Sequence, residues 1–218
     1  MAQSAKDDST YDRLILAGVK LFSQYGYDAT STRMIAQEAG VNLSAISFHF
    51  SAKEHLLNAC LEFIADKTAK YYSDISTKIK TLLERDNITK EEAYSCLLEI
   101  VNAQITVAFG LQYRSSLNLI YWEQINCMGG YHPVTTTLFE KIEKSMAMLI
   151  IAVTDIPYEK ALIASRFING SIISFGEHSH LVQYALGNDE NPNQELRPWI
   201  RLEIVHYCDA VIRDLLKI

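Results

Sequence analysis

Three groups of residues in this 218-residue chain have types and spacings that could do chemistry. The first is Glu177-His178-Ser179-His180, where two imidazoles and a carboxylate suggest a metal. Histidines two apart point to different sides of a helix, whereas helical ligand pairs sit three or four apart. Only Glu177 and His180 keep that spacing, so a polar pocket wall is preferred and no metal is expected. The second group, Arg114, Tyr121 and Glu123, has acid–base character. No nucleophile–base spacing, Gly-x-Ser-x-Gly or phosphate loop accompanies it, so neither an enzyme nor a cofactor is expected. The third group is the stretch from Ser31 to Lys53. It contains Thr32, Arg33, His49 and Lys53 around small and polar residues, and it suits contact with a polyanion.

The elements that must position this third group can be read from periodicity. A first helix fits Tyr11 to Tyr25, with Leu14, Ala17, Gly18, Leu21 and Phe22 on one face and Gly26 at the C-cap position. Thr30-Ser31-Thr32 caps a short second helix over Arg33 to Ala39, and Gly40 stops it. Asn42 or Leu43 opens a third helix over Ser44 to His49. Two short helices at a tight glycine-containing turn form the helix-turn-helix pattern, with Ile35, Ala36, Ala39, Val41 and Ile46 as its buried seam. The second of them can enter a major groove about 12 Å wide, and its outward residues are Asn42, Leu43, Ser44, Ala45 and Ser47. Phe48 and Phe50 read as core ahead of nucleotide-stacking groups, and Phe48 is kept among the candidate DNA-binding residues.

Ser51 and Glu54 then form a capping box for a long fourth helix with an apolar stripe to Ile79. Thr89 and Glu92 form a second box, starting a helix through Ala108. Further helices fit near Tyr113 to Gln124, Val134 to Thr154, Asp155-Ile156-Pro157 to Leu186 (broken near Gly170 or Gly176), and Glu195 to Lys217. No segment alternates with period two, and no repeat is visible. The expectation is an all-α fold of about nine helices, with residues 1–56 as a three-helix head and 57–218 as a larger helical domain.

Composition agrees with a folded chain: 49% apolar, 21% charged, with nine Gly and four Pro. The longest apolar run, Met146 to Val153, is far short of a membrane span, and no secretory signal is read at the start. Cys60, Cys96, Cys127 and Cys208 are scattered without a Cys-x-x-Cys pair, which suits buried thiols in a reducing cytoplasm. The net charge of −6 does not point to nucleic acid. Residues 1–56 hold Lys6, Arg13, Lys20, Arg33 and Lys53 against Asp7, Asp8, Asp12, Asp28, Glu38 and Glu54. The case for DNA must therefore come from geometry.

The residues Ser31, Arg33, Ile35, Ala36, Ala39, Gly40, Val41, Asn42, Ile46, His49, Phe50, Lys53 and Leu56 match in register the N-terminal signature of the TetR family, which this chain resembles over about residues 11–57. Phe22, Gly26, Tyr27 and Thr30 also fit. Ser47 stands where the family's commonest tyrosine falls, and Leu43 where a lysine is frequent. Phe48-His49-Phe50 and, more faintly, Ser174 to His178 resemble one branch with an Asn-Tyr-His-Phe variant, some members of which control antibiotic sensitivity and efflux.

The resemblance implies a cytoplasmic, ligand-responsive transcriptional regulator, a repressor released from a double-stranded DNA operator by a small, largely apolar effector. By position, Thr32, His49 and Lys53 would hold phosphates, and Arg33, Ser44, Ala45 and Ser47 would face bases. An effector pocket among C-terminal aromatics would take polar members from Gln104, Arg114, Tyr121, Glu123, Arg166, Asn169 and His178. A homodimer would form through the last two long helices, using Phe167, Gly170 and Ser174 with Ile200, Ile204, Tyr207 and Val211. Effector binding would turn the fourth helix and change the spacing of two reading heads. The alternative is a helical small-molecule-binding or signalling protein whose motif no longer reads DNA.

Overall fold

Helices account for all the regular structure among the described residues, which in this computed structural model are 9–110, 113–126, 133–187 and 198–218. In chain order they are α1 (Thr10–Ala29), α2 (Thr32–Glu38), α3 (Leu43–His49), α4 (Lys53–Tyr71), α5 (Ser73–Leu83), α6 (Lys90–Phe109), α7 (Arg114–Asn126), α8 (Pro133–Ile151), α9 (Tyr158–Glu177), α10 (Ser179–Ala185) and α11 (Pro198–Leu216). The fold is all-α, as expected.

The expected count of about nine becomes eleven because two long helices are each divided. The apolar stripe that ran on to Ile79 is broken at Tyr72 (φ −91°, ψ 3°), beside which the Ser73 hydroxyl donates to the Lys70 carbonyl at 2.9 Å. A serine hydroxyl competing for a backbone acceptor favours such a break. The later helix breaks at His178 (φ −101°, ψ 25°), not at Gly170 or Gly176. Gly176 stays helical, and its bare Cα lets α9 approach α6. A Cβ there would lie 2.7 Å from the Ala108 carbonyl oxygen.

Local start signals are obeyed closely. Ser9 accepts from Asp12 N–H, Ser31 from Met34 N–H, and Thr89 with Glu92 makes the full reciprocal capping box of α6. The box expected at Ser51 is replaced by a contact between its hydroxyl and His55 Nδ1. Pro157 precedes α9 as its N-cap and does not enter the first turn.

The chain divides into two compact units. One comprises residues 1–68 and 115–136, and the other 69–114 and 137–218. The first holds α1 to α3, most of α4, and α7. Its core is Leu14, Ile15, Phe22, Ile35, Ile46, Phe50, Leu56, Cys60, Leu61 and Ile64. The second is a bundle in which α6 packs on α9 and α11. Leu97, Ile100, Ile105, Met146, Ile150, Ile168, Ile172, Ile204 and Ile212 form its core. Among the described residues, no helix is long and apolar enough to cross a membrane.

Candidate nucleic-acid interface

The turn between α2 and α3 is a Schellman motif. Val41 N–H donates to the Ala36 carbonyl at 3.0 Å, and Gly40 N–H to the Gln37 carbonyl at 3.1 Å. Gly40 supplies the required left-handed backbone with φ +63°. Ile35, Ala36, Ala39 and Ile46 are buried in the seam, and Val41 is half-buried. Helix α3 is braced from below by Tyr11 of α1, which stacks on Phe50 at 5.3 Å and meets His49 edge-on at 5.8 Å.

The opposite side of α3 is open. Asn42 is its N-cap, and Asn42, Leu43, Ser44 and Ser47 are exposed, while Ala45 is half-buried. Phe48, read first as core, is 84% exposed and meets the ring of its neighbour His49 edge-on at 4.9 Å. The periodicity that buries Ile46 and Phe50 turns Phe48 outward. Phe50 is buried as expected. An open groove of about 870 Å³ runs along this side, lined by Asn42, Ser44, Ala45 and Phe48 together with Thr10, Arg13 and Gln37.

Arg33, expected toward bases, and Lys53, expected on a phosphate, differ sharply in their surroundings. Arg33 is exposed on α2 beside half-buried Thr32. Lys53 is half-buried and turned inward. Its ammonium donates to the Tyr27 carbonyl at 2.8 Å and the Thr30 carbonyl at 3.1 Å, and it sits 4.0 Å from the centre of the Tyr27 ring. The carbonyls it caps belong to a kinked chain end. Gly26 adopts φ +77°, and the buried Thr30 hydroxyl donates to the Gly26 and Leu21 carbonyls at 2.7 and 3.1 Å. Burial first, then the charges of Glu54 and Asp28, raises the pKa of the Tyr27 hydroxyl. The second face of this knot is Trp122 of α7, whose ring lies 6.1 Å from that of Tyr27. The aromatic and glycine signals around Tyr27 were visible in the sequence; their convergence with Lys53 and Trp122 was not.

The candidate effector residues fall in both units. Gln104, Asn169 and Arg166 meet in the second unit around Glu143, a buried residue the sequence reading passed over. Gln104 donates to Asn169 Oδ1, and Asn169 and Arg166 both donate to Glu143 Oε1, each at 2.7 Å. The carboxylate can only accept, which fixes the direction of both amides. Gln104 Oε1 is left buried without a hydrogen-bond partner. Half-buried Tyr121 and buried Glu123 lie on α7 in the first unit. Arg114 begins α7, and its side chain falls outside the described residues. His178 is exposed, with Nδ1 3.2 Å from the Ser174 carbonyl oxygen. The side chains of Glu177 and His180 lie outside the described residues. Among those described, no cluster of three His, Cys, Asp or Glu could hold a metal.

The candidate dimer residues also separate. Phe167, Gly170, Ser174 and Tyr207 are exposed and Val211 is half-buried. Ile200 and Ile204 are each 4% exposed and belong to the chain's own core. Their helix α11 packs that stripe on α6, so the face it leaves open carries Trp199, Leu202 and Tyr207 instead.

Residues 14–60 match the family model for bacterial regulatory proteins of the tetR family. The chain is 27% identical to the HTH-type transcriptional dual regulator CecR of Shigella flexneri, over 98% of this chain and 96% of that protein. Its fold is similar to a TetR transcriptional regulator from Legionella pneumophila, with a TM-score of 0.62 and 21% identity over 94% of this chain and 98% of that one. It is also similar to the multidrug binding protein EbrR complexed with malachite green, with a TM-score of 0.59 and 16% identity over 94% and 98%. The register match through the α2–α3 turn lies in the stretch that matches the tetR-family model, and the chain is similar along nearly its whole length to a transcriptional regulator: residues 14–60 carry a tetR-family regulatory domain.

Proposed function

We propose that the chain is a cytoplasmic, non-enzymatic transcriptional regulator. It acts as a homodimeric repressor whose operator affinity falls when a small, largely apolar effector binds. The single observation that carries the DNA half is the open face of α3. Asn42, Ser44, Ala45 and Ser47 are small or polar at the surface of a helix that is rigidly seated by the Gly40 turn and by Tyr11. A helix with such a face can approach base edges closely. In this reading residues 1–56 read DNA, with Arg33, Ser44, Ala45 and Ser47 toward bases and Thr32 and His49 toward the backbone. Residues 57–218 carry effector and dimer surfaces.

The effector half is supported by the Gln104–Asn169–Glu143 chain, because a buried, unpartnered Gln104 Oε1 suits a ligand or water that donates a hydrogen bond. The exposed Ile163, Phe167 and Tyr207 on α9 and α11 support pairing. That EbrR is a multidrug binding protein agrees with an apolar effector.

One observation favours the alternative, a helical binding protein that no longer reads DNA: two of the head's lysines, Lys20 and Lys53, are held by the chain itself. Titration of the DNA upstream of the chain's own gene at two salt concentrations separates the two. The regulator reading expects specific binding that weakens steeply with salt. Equal, weak binding to any duplex would favour the alternative.

A further inference from the structure

The described part of the head contains four basic side chains of Lys and Arg: Arg13, Lys20, Arg33 and Lys53. Their surroundings divide them. Lys20 faces Glu38 in an exposed ion pair. Lys53 spends two of its three N–H donors on the Tyr27 and Thr30 carbonyls and lies over the Tyr27 ring. The guanidinium groups of Arg13 and Arg33 enter no hydrogen bond or ion pair among the described residues.

Arg13 alone of the four lines the groove beside α3. No aspartate or glutamate lines that groove, although the chain as a whole carries a charge of −6. Its other polar walls include the Gln37 and Asn42 amides and the Ser44 hydroxyl, all of which can donate. The neighbouring Asp12 carboxylate is engaged elsewhere, accepting from the Ser9 hydroxyl, whose oxygen in turn accepts from the Asp12 backbone N–H. A groove with one uncommitted guanidinium, several neutral donors and no carboxylate suits a phosphate, and guanidinium offers it a planar fork of donors.

We propose that this groove seats a phosphate of the DNA strand alongside α3, with Arg13 as its cation, and that Lys53 is a structural tie for the end of α1 and not a phosphate contact. The assignment rests on the reading of α3 as the DNA-facing helix. It explains how a head with so few cations keeps an electrostatic hold: the working charges are Arg13 and Arg33, while Lys20 and Lys53 hold the fold.

The test uses the full chain and a DNA duplex of unrelated sequence, because backbone contacts do not need an operator. Binding is measured across a salt series for the wild type, Arg13→Gln, Arg13→Lys and Lys53→Gln, with a melting curve for each. The log–log salt slope should fall by about 0.9 for each Arg13 lost from a phosphate. Arg13→Gln should show that fall with an unchanged melting temperature, and Arg13→Lys should recover the slope. Lys53→Gln should keep the wild-type slope and melt earlier. A wild-type slope in Arg13→Gln would overturn the groove assignment, whatever Lys53→Gln does. A reduced slope in a folded Lys53→Gln would overturn the structural role given to Lys53. Failure of the wild type to bind any duplex would remove the DNA reading itself and the assignment with it.

Discussion

At Gly26 the backbone takes φ +77° and ψ 174°, a region open to glycine and strained for other residues. A Cβ there would also lie 2.8 Å from the Trp122 indole nitrogen. Gly40 has a similar φ of +63° but nothing within 4 Å of its would-be Cβ. Gly26→Ala should therefore cost about 1–3 kcal/mol, more than Gly40→Ala at about 1 kcal/mol. Paired melting curves measure the difference, and equal losses would show that Trp122 packing adds nothing. Cys60 offers a second residue-scale check. Burial pushes its thiol up to about 12, against an ordinary 9.0. Below pH 9 both folded and unfolded chains keep the proton. Between about 9 and 12 only the unfolded chain loses it, so this group lowers stability as pH rises. Cys60, Cys96 and Cys208 are all buried. At pH 8 a thiol reagent read by peptide mapping should label them only after denaturant is added; rapid native labelling of Cys60 would contradict its burial.

At the scale of elements, the buried chain Gln104–Asn169–Glu143 ties α6, α9 and α8 together. Arg166 at its end is two-thirds exposed, with 66% of its side chain open, whereas Glu143 keeps 10%. Neutralising the shared buried acceptor should cost more than neutralising the exposed donor. Glu143→Gln should destabilise by about 1–3 kcal/mol, and Arg166→Gln by about 1 kcal/mol or less. Chemical denaturation of the two variants checks the order, and a larger loss for Arg166→Gln would reverse it. Glu143 was findable: it precedes Met146, Ala147 and Ile150 by three, four and seven, so a carboxylate sits on an apolar helical stripe. The turn between α2 and α3 was legible because its causes are local, namely a serine cap, a glycine at the left-handed position and a seam spaced within fifteen residues. Lys53 was not legible in the same way. Its partners are carbonyls 23 and 26 residues earlier, and their direction depends on the kink at Gly26. The breaks at Tyr72 and His178 were missed because the apolar stripe continues through both.

For the whole molecule, the exposed apolar side chains of α9 and α11 carry the proposal of a homodimer. Ile163, Phe167, Leu202 and Tyr207 are each more than 60% exposed. Phe167→Glu should leave the chain folded but monomeric by sedimentation, with DNA affinity much reduced because a single head engages few phosphates. A dimer unaffected by that change would move the interface elsewhere. The sequence placed Ile200 and Ile204 in this interface because an apolar stripe on a terminal helix does not say which neighbour it meets; α6 of the same chain takes it.

The central claim is that the open face of α3 is the surface that touches DNA. Ser44→Asp tests it most directly. Ser44 is exposed in the first turn of α3, where a carboxylate does not disturb the helix, yet there it would confront phosphates. In fluorescence anisotropy with DNA from upstream of the gene, the variant should melt with the wild type and bind at least about tenfold more weakly, a difference of about 1.4 kcal/mol. Wild-type affinity in a folded Ser44→Asp chain would contradict the account.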